Sequence, residues 1–581
     1  MKSPRRYPKI KRSQTRKTVL VTFSDGHVLK GPVGETIESF VQSKSFTSQL
    51  RPVACHVDGQ LRELTYPIKQ DTQVRVLTLA DSDGRRVYRR SLSLLLVAAA
   101  HDLFPTAKIV IDYGLNFGGL YCQVKERPPF SETELKQLET HMQAMVEADI
   151  PIIKEHISHD EARMVLKNLK DKLRLLKHRH KPYVTVYRMG EYRDYLHGYM
   201  VPSTSYLETF ALDKYSDGFV LRYPNRDSPT ELQSRVDYPK LVSVFKEYGD
   251  WMDKLDIRDV GALNEVVTSG NHLETILVAE ALQEQRISQI ATLLASLERK
   301  IRLVLVSGPS SAGKTTFSKR LAIQLLAHGI QPLTLGLDDF IVNREDTPLD
   351  EEGDYDYESL YSLNLALFND VLLRLMAGDE VSLPHYNFFT GKSGTGQTVS
   401  IGPEQMIIVE GIHGMNPDLV PHIPPDKIFR IFVSALTQLN MDRHNRIPTT
   451  DTRLLRRMTR DAKHRGYNAT DTLTRWPKVR QGEHRWIFPY QENADVVFNS
   501  ALVYELACIK PLVEPLLRQV EQGTTSHIEV KRLLSFLQWF APCPPDLIPP
   551  NSILREFIGG SVLRSYRPGL KNKTLRMKND E

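Results

Sequence analysis

The feature that most constrains this chain is a glycine-rich turn between an apolar run and an amphipathic run, VLVSGPSSAGKTTF at 304–317. Residues Gly308 to Thr315 meet the spacing GxxxxGK(S/T) in full, between a run typical of a buried strand and one typical of a helix. Glycines let the backbone curl so that several N–H groups point inward, and the following helix adds its positive end. The turn therefore predicts a loop that holds an anionic polyphosphate.

Strand-like and helix-like runs alternate after this turn. The helix SKRLAIQLLAHG, the strand PLTLGLDDF, the helix SLNLALFNDVLLRLMAG and the strands QMIIVEGI and KIFRIFVSA follow in that order. Continuous apolar strands between helices are typical of a parallel sheet that is covered on both faces. We therefore predict an α/β domain with a parallel sheet over residues 301–523.

The rest of the chain divides by composition. The stretch 1–17 carries eight Lys or Arg and no acid, which predicts a flexible, solvated tail, with a nucleic-acid contact as the alternative. A polar turn at DSDGRR separates two α+β segments, and a mostly helical connector precedes the parallel sheet. The predicted boundaries are 18–80 and 81–225 for the α+β domains, 226–300 for the connector and 524–581 for a C-terminal extension. The sequence assigns no chemistry to that extension, and leaves open whether it covers the parallel-sheet domain or bridges the domains.

Composition narrows the class of protein. With 581 residues, 41% apolar and 25% charged, the chain can bury several globular cores. The four cysteines form no CxxC pair, so they suggest neither a zinc knuckle nor a disulfide framework, and a reducing compartment fits. The longest apolar run, 92–100, is about half of what a bilayer span needs. We therefore expect a soluble, cytoplasmic protein without a membrane partner, and the sequence leaves homo-oligomerisation open.

The glycine-rich turn also assigns roles to individual residues. Lys314 is placed to reach the β- and γ-phosphates of a nucleoside triphosphate, and the Thr315 hydroxyl is placed to ligate Mg²⁺. Glu410 ends the strand in QMIIVEG, the usual location of the acid that holds Mg²⁺ through water, with a lone loop carboxylate as the alternative. The predicted nucleotide-binding residues are Gly308, Pro309, Ser310, Ser311, Ala312, Gly313, Lys314, Thr315 and Thr316.

Charged residues follow two other predicted elements. Asp338 and Asp339 end the strand in LTLGLDDF, and carboxyl ends of parallel strands line the ligand crevice, so one of them can act as a general base toward an alcohol. A helix cap or loop acid is the alternative. Arg453, Arg456 and Arg460 lie near one face of the helix predicted in DTRLLRRMTRDAKHRG, where they could neutralise a transferring phosphoryl group. A solvated basic face is the alternative for this helix.

The motifs SGPSSAGKTT, LDDF, VEGI and DTRLLRR together resemble the uridine kinase and phosphoribulokinase family of P-loop kinases, over about 301–523. The resemblance implies phosphorylation of a hydroxyl on a small molecule, with ATP and Mg²⁺ as cofactors. It implies Asp338 as the general base, and Lys314, Arg453 and Arg456 as the residues that balance charge. The implied substrate-binding residues are Asp356, Tyr386 and Arg453.

One departure from that family bears on the acceptor. The pyrimidine pocket of the family has a Tyr-Asp-Phe element followed shortly by a His, whereas this chain reads HYNFFTGKS. Tyr386 matches, but Gly391 stands at the position of the His. The hydrogen bond to the base is then missing unless His385 or another group supplies it, which puts uridine or cytidine in doubt as the acceptor.

The N-terminal half resembles the same region of threonyl-tRNA synthetases, a ubiquitin-like TGS domain followed by the editing domain. VTFSDGHVLKG and VDGQLRELTYPI resemble the first domain, and RRSLSLLLVAAAHDLFP with HGYMVPSTS resembles the second. The four polar editing-site positions of that family map to Leu94, Ala98, Leu196 and Met200, which can neither bind metal nor activate water. We therefore expect a retained scaffold that binds or regulates, with RNA contact as a hypothesis.

These features favour an ATP-dependent kinase that acts on a nucleoside, uridine-like or cytidine-like, or on a related small molecule. Two other functions stay open. The chain could be an ATP-binding regulatory switch or RNA-linked binding protein without a small-molecule acceptor, or a kinase of a non-nucleoside alcohol such as a sugar phosphate.

Overall fold

The computed structural model describes residues 16–44, 50–179, 181–297, 300–388, 390–402 and 404–569. All but the last two residues of the tail predicted at 1–17 lie outside these ranges. Within them, no helix is both long and apolar enough to cross a membrane.

The first domain is a mixed five-stranded sheet with one short helix. The strand order is β2-β1-β5-β3-β4, in which β1 and β5 are parallel and the other pairs antiparallel. Thr36 caps the helix by accepting a hydrogen bond from the backbone of Ser39. The elements are β1 (Thr18–Phe23), β2 (Val28–Pro32), α1 (Ile37–Gln42), β3 (Ala54–Val57), β4 (Gln60–Arg62) and β5 (Thr72–Leu77).

The second domain is also α+β, with sheets of order β11-β12-β7-β6 and β10-β9-β8. Its elements are α2 (Ser82–Leu103), β6 (Lys108–Leu115), β7 (Gly119–Lys125), α3 (Glu132–Glu147), β8 (Ile152–Ile157), α4 (His159–Val165), α5 (Lys170–Leu176), β9 (Val184–Met189), β10 (Tyr192–Asp194), β11 (Ala211–Tyr215) and β12 (Gly218–Arg222). The turn predicted at DSDGRR is wrong, because α2 already begins at Ser82. Gly84 serves close packing there, since a Cβ atom would overlap the carbonyl of Thr78.

The connector contains the helices α6 (Pro239–Lys254), α7 (Val260–Thr268) and α8 (His272–Ser296). The long helix α8 packs against the parallel-sheet domain, where Arg320 forms an ion pair of 2.5 Å with Glu284. The buried face of α8 includes Ile276, Ile287 and Ile290. The connector therefore belongs to the same hydrophobic core as the domain that follows it.

The parallel-sheet domain has the strand order β14-β17-β13-β18-β19, and every pair is parallel. Its elements are β13 (Leu303–Ser307), α9 (Lys314–Ala327), β14 (Pro332–Gly336), α10 (Leu365–Ala377), the hairpin β15 (Val381–Asn387) and β16 (Lys392–Val399), β17 (Met406–Gly411), β18 (Ile428–Ser434), α11 (Thr449–His464), α12 (Ala469–Trp486), β19 (Val496–Asn499) and α13 (Glu505–Arg518). All residues of the central strand β13 are buried, as a sheet covered on both faces requires. The predicted fold class is confirmed.

The C-terminal extension adds α14 (Thr525–Leu537) and α15 (Arg555–Ile558). Glu529 on α14 pairs with Arg86 on α2, and Arg532 one turn later pairs with Asp451 on α11 at 2.6 Å. The extension thus connects the N-terminal half to the parallel-sheet domain.

A buried ion network also joins the two halves. Lys172 donates to Asp194 at 2.5 Å, and His444, from the loop between β18 and α11, contacts the other oxygen of Asp194 at 2.6 Å. Burial alone would raise the pKa of Asp194, but Lys172 and His444 hold it well below its usual range. Asp442 of the same loop lies 3.6 Å from Lys172. The loop that leads into α11 is therefore fixed to the N-terminal half.

Candidate active site

The glycine-rich loop forms a nest of amides between β13 and α9. Gly308 has φ +155°, and a Cβ atom at this position would overlap the carbonyl of Val433, so only glycine fits beside β18. Ser311 also has a positive φ, at +60°, and α9 begins at Lys314. The Lys314 ammonium donates to the carbonyl of Pro309 at 3.3 Å. The loop has the geometry that binds phosphate at a helix N-terminus.

Glu410 lies beside this loop because β17 pairs with β13 in a register that sets Val306 opposite Glu410. The Thr315 hydroxyl donates to Oε1 of Glu410 at 2.8 Å. Burial raises the pKa of Glu410 to about 7, against the opposing charge of Lys314. The structure therefore brings together the two residues predicted to hold Mg²⁺, and both offer oxygen ligands of the type that Mg²⁺ prefers.

Asp338 lies in a short 3₁₀ turn after β14, the strand next to β17. Its side chain is exposed, and it has no hydrogen-bond partner among the described residues. The charge of Asp338 is one of those that raise the pKa of Glu410, so the two carboxylates lie within electrostatic range at the same edge of the sheet. Asp339 is engaged differently, because its carboxylate contacts Nδ1 of His385 on β15 at 3.0 Å.

Two residues that sequence reasoning missed lie in the same crevice. Burial raises the pKa of Glu358 to about 7, and the charges of Lys314 and Asp338 also act on this carboxyl. His413 is 2% exposed and follows β17 directly. Neither ring nitrogen of His413 forms a hydrogen bond of normal geometry within the described residues. The sequence did offer a signal for His413, since it lies two residues after VEG, near the end of the strand that carries Glu410.

Aromatic rings and the surrounding backbone define the environment of His413. Its ring lies edge-on to Trp486 of α12, with 6.4 Å between the centroids, and Tyr361 contacts the same indole at 6.1 Å. Burial lowers the pKa of His413 to about 4. The imidazole is therefore neutral at physiological pH and keeps one donor and one acceptor.

Arg453 and Arg456 lie against the glycine-rich loop, but both are fully buried and paired with acids. Arg453 contacts both oxygens of Glu483 on α12, one of them at 2.8 Å, and donates to the carbonyl of Ser310 at 3.1 Å. Arg456 pairs with Glu505 at 2.6 Å. The predicted catalytic roles of both arginines remain predictions. In this geometry they fix the position of the loop, and Glu483 was not found from the sequence.

The other predicted substrate residues, Asp356 and Tyr386, contact residues of their own segments. Asp356 caps its own loop by accepting from the backbone of Glu358 at 3.2 Å. Tyr386 is buried on β15 with its ring edge-on to Phe388. Neither side chain hydrogen-bonds to Asp338 or Lys314 in the described part of the chain, so their substrate roles stay predictions.

Gly391 cannot be replaced by histidine without a change in the hairpin. Its φ is +69°, and a Cβ atom would lie 2.7 Å from Nε of Arg344. The backbone of Arg344 also donates to the carbonyl of Gly391 at 2.8 Å. The space of the missing side chain is thus filled by Arg344, whereas the nearby His385 is 70% exposed on its side chain.

The editing-site positions of the N-terminal half are apolar and buried. Leu94, Ala98, Leu196 and Met200 are at most 3% exposed and belong to one hydrophobic core. Nearby His197 is half-buried, and desolvation lowers its pKa to about 3. Apolar side chains supply no ligand for a metal at this place.

Comparison with known proteins gives different relatives for the two halves. The N-terminal half is similar to threonine–tRNA ligases, 29% identical over 243 residues to that of Streptococcus mutans (41% of this chain, 35% of the relative) and 30% over 197 residues to that of Desulforamulus reducens (33% and 31%). The chain thus spans about a third of the length of these curated relatives.

Solved structures are similar to a different part of the chain. One, described as a possible uridine kinase from Bacillus stearothermophilus, is 21% identical, with 37% of this chain and 98% of that chain covered and a TM-score of 0.24. A D-glycerate 3-kinase from Cryptococcus neoformans is 16% identical, with 44% and 87% covered and a TM-score of 0.19. The glycine-rich loop, Asp338, Glu410 and α11 all lie within residues 303–507, and this region matches the model of the Phosphoribulokinase / Uridine kinase family.

Proposed function

We propose that the chain is a Mg²⁺- and ATP-dependent kinase that phosphorylates a hydroxyl group of a small molecule. The observation that carries the proposal is the convergence of Lys314, Thr315, Glu410 and Asp338 at the carboxyl ends of three neighbouring strands. An ATP hydrolase needs the first three, whereas a free carboxylate beside them suits activation of an alcohol.

Each residue has a defined part in the transfer. Thr315 and Glu410 are the residues that would hold Mg²⁺, which would supply positive charge against the phosphates, and Lys314 binds the β- and γ-phosphates. Asp338 accepts the proton of the acceptor hydroxyl. At the same time the oxygen of that hydroxyl forms a bond to the γ-phosphorus. The bond from that phosphorus to the β-bridging oxygen breaks, and ADP leaves.

The acceptor is best sought among nucleosides and other polyhydroxylated compounds. Glu358 and His413 are polar groups beside the crevice, the ring nitrogens of His413 lack a hydrogen bond of normal geometry within the described residues, and Trp486 lies edge-on to His413. The pair of His385 with Asp339 is the candidate for the hydrogen bond that Gly391 cannot make. A uridine-like or cytidine-like nucleoside is our first choice, and a non-nucleoside alcohol such as a sugar phosphate is the second.

The decisive experiment is a screen of purified protein with ATP against nucleosides, pantothenate and pentose phosphates. We expect ADP to appear only with the correct acceptor, and Lys314→Ala to abolish it. Slow ATP hydrolysis that no acceptor accelerates would instead favour an ATP-driven regulatory switch. Absence of ATP binding by the wild-type protein would overturn both functions.

A second proposal concerns the N-terminal half, which we propose to contact RNA. It is supported by the likeness to threonine–tRNA ligases and by a cleft of about 1060 Å³ between the two halves. Arg89, Arg226 and Arg446 line this cleft and form no ion pair within the described residues. Unpaired guanidinium groups in a concave surface attract phosphates.

Filter binding of RNA to the full chain tests this contact. We expect affinity to fall steeply with salt, and to fall further in the double variant Arg89→Gln with Arg446→Gln. An unchanged affinity in that variant would exclude the cleft as the RNA-binding site. No binding by the wild-type chain at low salt would exclude RNA contact altogether.

A further inference from the structure

The C-terminal extension reaches the glycine-rich loop through residues 544–569, which we name the C-terminal strap. Ile553 and Phe557 of the strap are fully buried, and a Cβ atom at Gly313 would lie 2.5 Å from Ile553. Lys319 on α9 donates to the carbonyl of Leu563 at 2.7 Å. The strap is therefore packed directly on the first turns of α9.

One side chain of the strap enters the phosphate-binding region. Oε2 of Glu556 accepts a hydrogen bond of 3.0 Å from the backbone N–H of Thr316 and one of 2.8 Å from its hydroxyl. Thr316 is 4% exposed and lies within the predicted nucleotide-binding residues. The amide belongs to the first turn of α9, where N–H groups lack partners within the helix and favour an anion.

A carboxylate oxygen and a phosphate oxygen can accept the same hydrogen bonds from the backbone N–H and the hydroxyl of Thr316. Both are anionic acceptors, and both gain from the positive end of the helix. The strap backbone is anchored at several other points, including the bond from Lys463 to the carbonyl of Ile558 at 2.7 Å. The Glu556 side chain is thus the part of the strap that can leave without the whole strap being released.

We propose that Glu556 is a built-in competitor of the nucleotide, whose carboxylate fills the place of a phosphate on Thr316 and so sets the affinity for ATP. This inference rests on the proposed binding of ATP at Gly308–Thr316. Occupation of the site by the side chain reduces the fraction of competent protein, and the apparent affinity for ATP falls by that fraction. Removal of the charge then strengthens binding.

Calorimetric titration of ATP into the full-length protein tests the proposal. We expect Glu556→Gln and Glu556→Ala to bind ATP about ten- to a hundredfold more tightly than wild type, the range that loss of a hydrogen bond to a charged group supports. Asp546→Asn is the matched control on the same strap, because within the described residues its carboxylate forms no hydrogen bond or ion pair with α9, and it should leave the affinity unchanged. Lys314→Ala should abolish binding.

Thermal melting separates competition from a purely structural role. Loss of the Glu556 contacts should lower the melting temperature of the free protein, while the rise caused by saturating ATP should become larger than in wild type. Glu556→Asp, which keeps the charge on a shorter side chain, should bind ATP with an affinity between those of wild type and Glu556→Gln, and this variant replaces Glu556→Ala if the larger change prevents folding.

Two results would overturn the proposal, and they differ. ATP affinity that stays equal or falls in the Glu556 variants, with Lys314→Ala still defective, would show that Glu556 only stabilises α9. Absence of ATP binding in wild type and Glu556→Ala alike would remove the proposed function and this inference with it.

Discussion

The hydroxyl of Thr315 and the carboxylate of Glu410 lie 2.8 Å apart where β13 and β17 end side by side. Thr315 comes from a local motif, whereas Glu410 is brought there by strand pairing. Their oxygen atoms form one edge of the proposed Mg²⁺ site, in which burial, and not a neighbouring acid, is the largest influence on the pKa of the carboxyl. In that role the protonation of Glu410 would couple metal binding to pH.

We expect the requirement for Mg²⁺ to rise as pH falls. The pKa of Glu410 is raised to about 7, so the carboxylate that holds the cation becomes about tenfold scarcer between pH 8 and pH 6. The measurement is the Mg²⁺ concentration for half-maximal turnover at several pH values. Glu410→Gln should need far more Mg²⁺ and lose this pH dependence, whereas an unchanged slope would place the metal elsewhere.

The same raised pKa has a consequence for stability. A carboxyl whose pKa is higher in the folded state destabilises that state as pH rises from about 4.5 through about 7. In the absence of Mg²⁺ we therefore expect Glu410→Gln to melt at a higher temperature than wild type at pH 8, and at the same temperature at pH 4. A lower melting temperature at both values would mean that the carboxylate has a stabilising partner.

Asp338→Asn should abolish transfer and spare nucleotide binding. Loss of a general base typically costs a factor of 10² to 10⁴ in kcat, and Asp338 has no contact in the nest of amides that would disturb ATP. Asp339→Asn is the matched control, since its carboxylate is engaged by His385 at 3.0 Å. Single-turnover assays and ATP titration check both variants. A larger loss in Asp339→Asn would assign the base to that residue.

The elements predicted from the sequence are those whose signal is local. The loop from Gly308 to Thr316, the parallel strands and the position of Glu410 follow from an apolar run and the residue that ends it. The prediction of a turn at DSDGRR was wrong because a glycine in a polar stretch can either end a helix or allow close packing within one. At Gly84 it permits close contact with Thr78 inside a helical region and does not end a helix.

Two of the residues that sequence reasoning missed act on partners from other segments of the chain. Glu483 reaches Arg453 from the next helix, and Glu556 reaches Thr316 across 240 positions. Neither Glu483 nor Glu556 belongs to a sequence motif. The role of each acid depends on the residue that it contacts in the folded chain. In the sequence, Arg453 of DTRLLRR looks free to contact a phosphoryl group. Its pairing with Glu483 is visible only in the folded chain.

His413 is expected to contribute to acceptor binding. Its two ring nitrogens are buried next to Trp486, and apart from a contact with the backbone of Ser359 outside normal hydrogen-bond geometry they have no partner within the described residues, so a bound hydroxyl compound can satisfy them. His413→Leu should raise the KM for the acceptor about tenfold and leave the KM for ATP unchanged, and His413→Gln should recover part of the loss. An equal effect on both KM values would indicate a general disturbance of the fold.

The titration of His413 gives an independent check. Burial lowers its pKa to about 4, so the folded state binds fewer protons than the unfolded state, whose imidazole has a pKa of 6.5. Stability from this group is therefore full above pH 6.5 and is lost as pH falls through about 4. The drop in melting temperature between pH 7 and pH 5 should be smaller in His413→Gln than in wild type.

A double-mutant cycle on Arg453 and Glu483 distinguishes a catalytic from a positioning role. Removal of one partner from a buried pair leaves an uncompensated charge, at a cost of about 3–5 kcal/mol, so Arg453→Met and Glu483→Gln should each destabilise the protein. Because Arg453 also bonds to Ser310, both variants should bind ATP more weakly. Arg460→Met, which loses only the pair with Asp461, is the matched control.

We expect the double variant to regain part of the stability and of the ATP affinity, with a coupling free energy of about 1–3 kcal/mol. The reason is that the charges of Arg453 and Glu483 are removed together, so that of this buried group only Arg480, which also pairs with Glu483 at 2.5 Å, loses its partner. Turnover is the deciding readout, because a guanidinium that only holds the loop can be replaced by an apolar pair of similar volume, whereas one that contacts the transferring phosphoryl group cannot. Recovery of kcat together with ATP affinity would assign Arg453 to positioning; recovery of affinity alone would support its predicted role in catalysis.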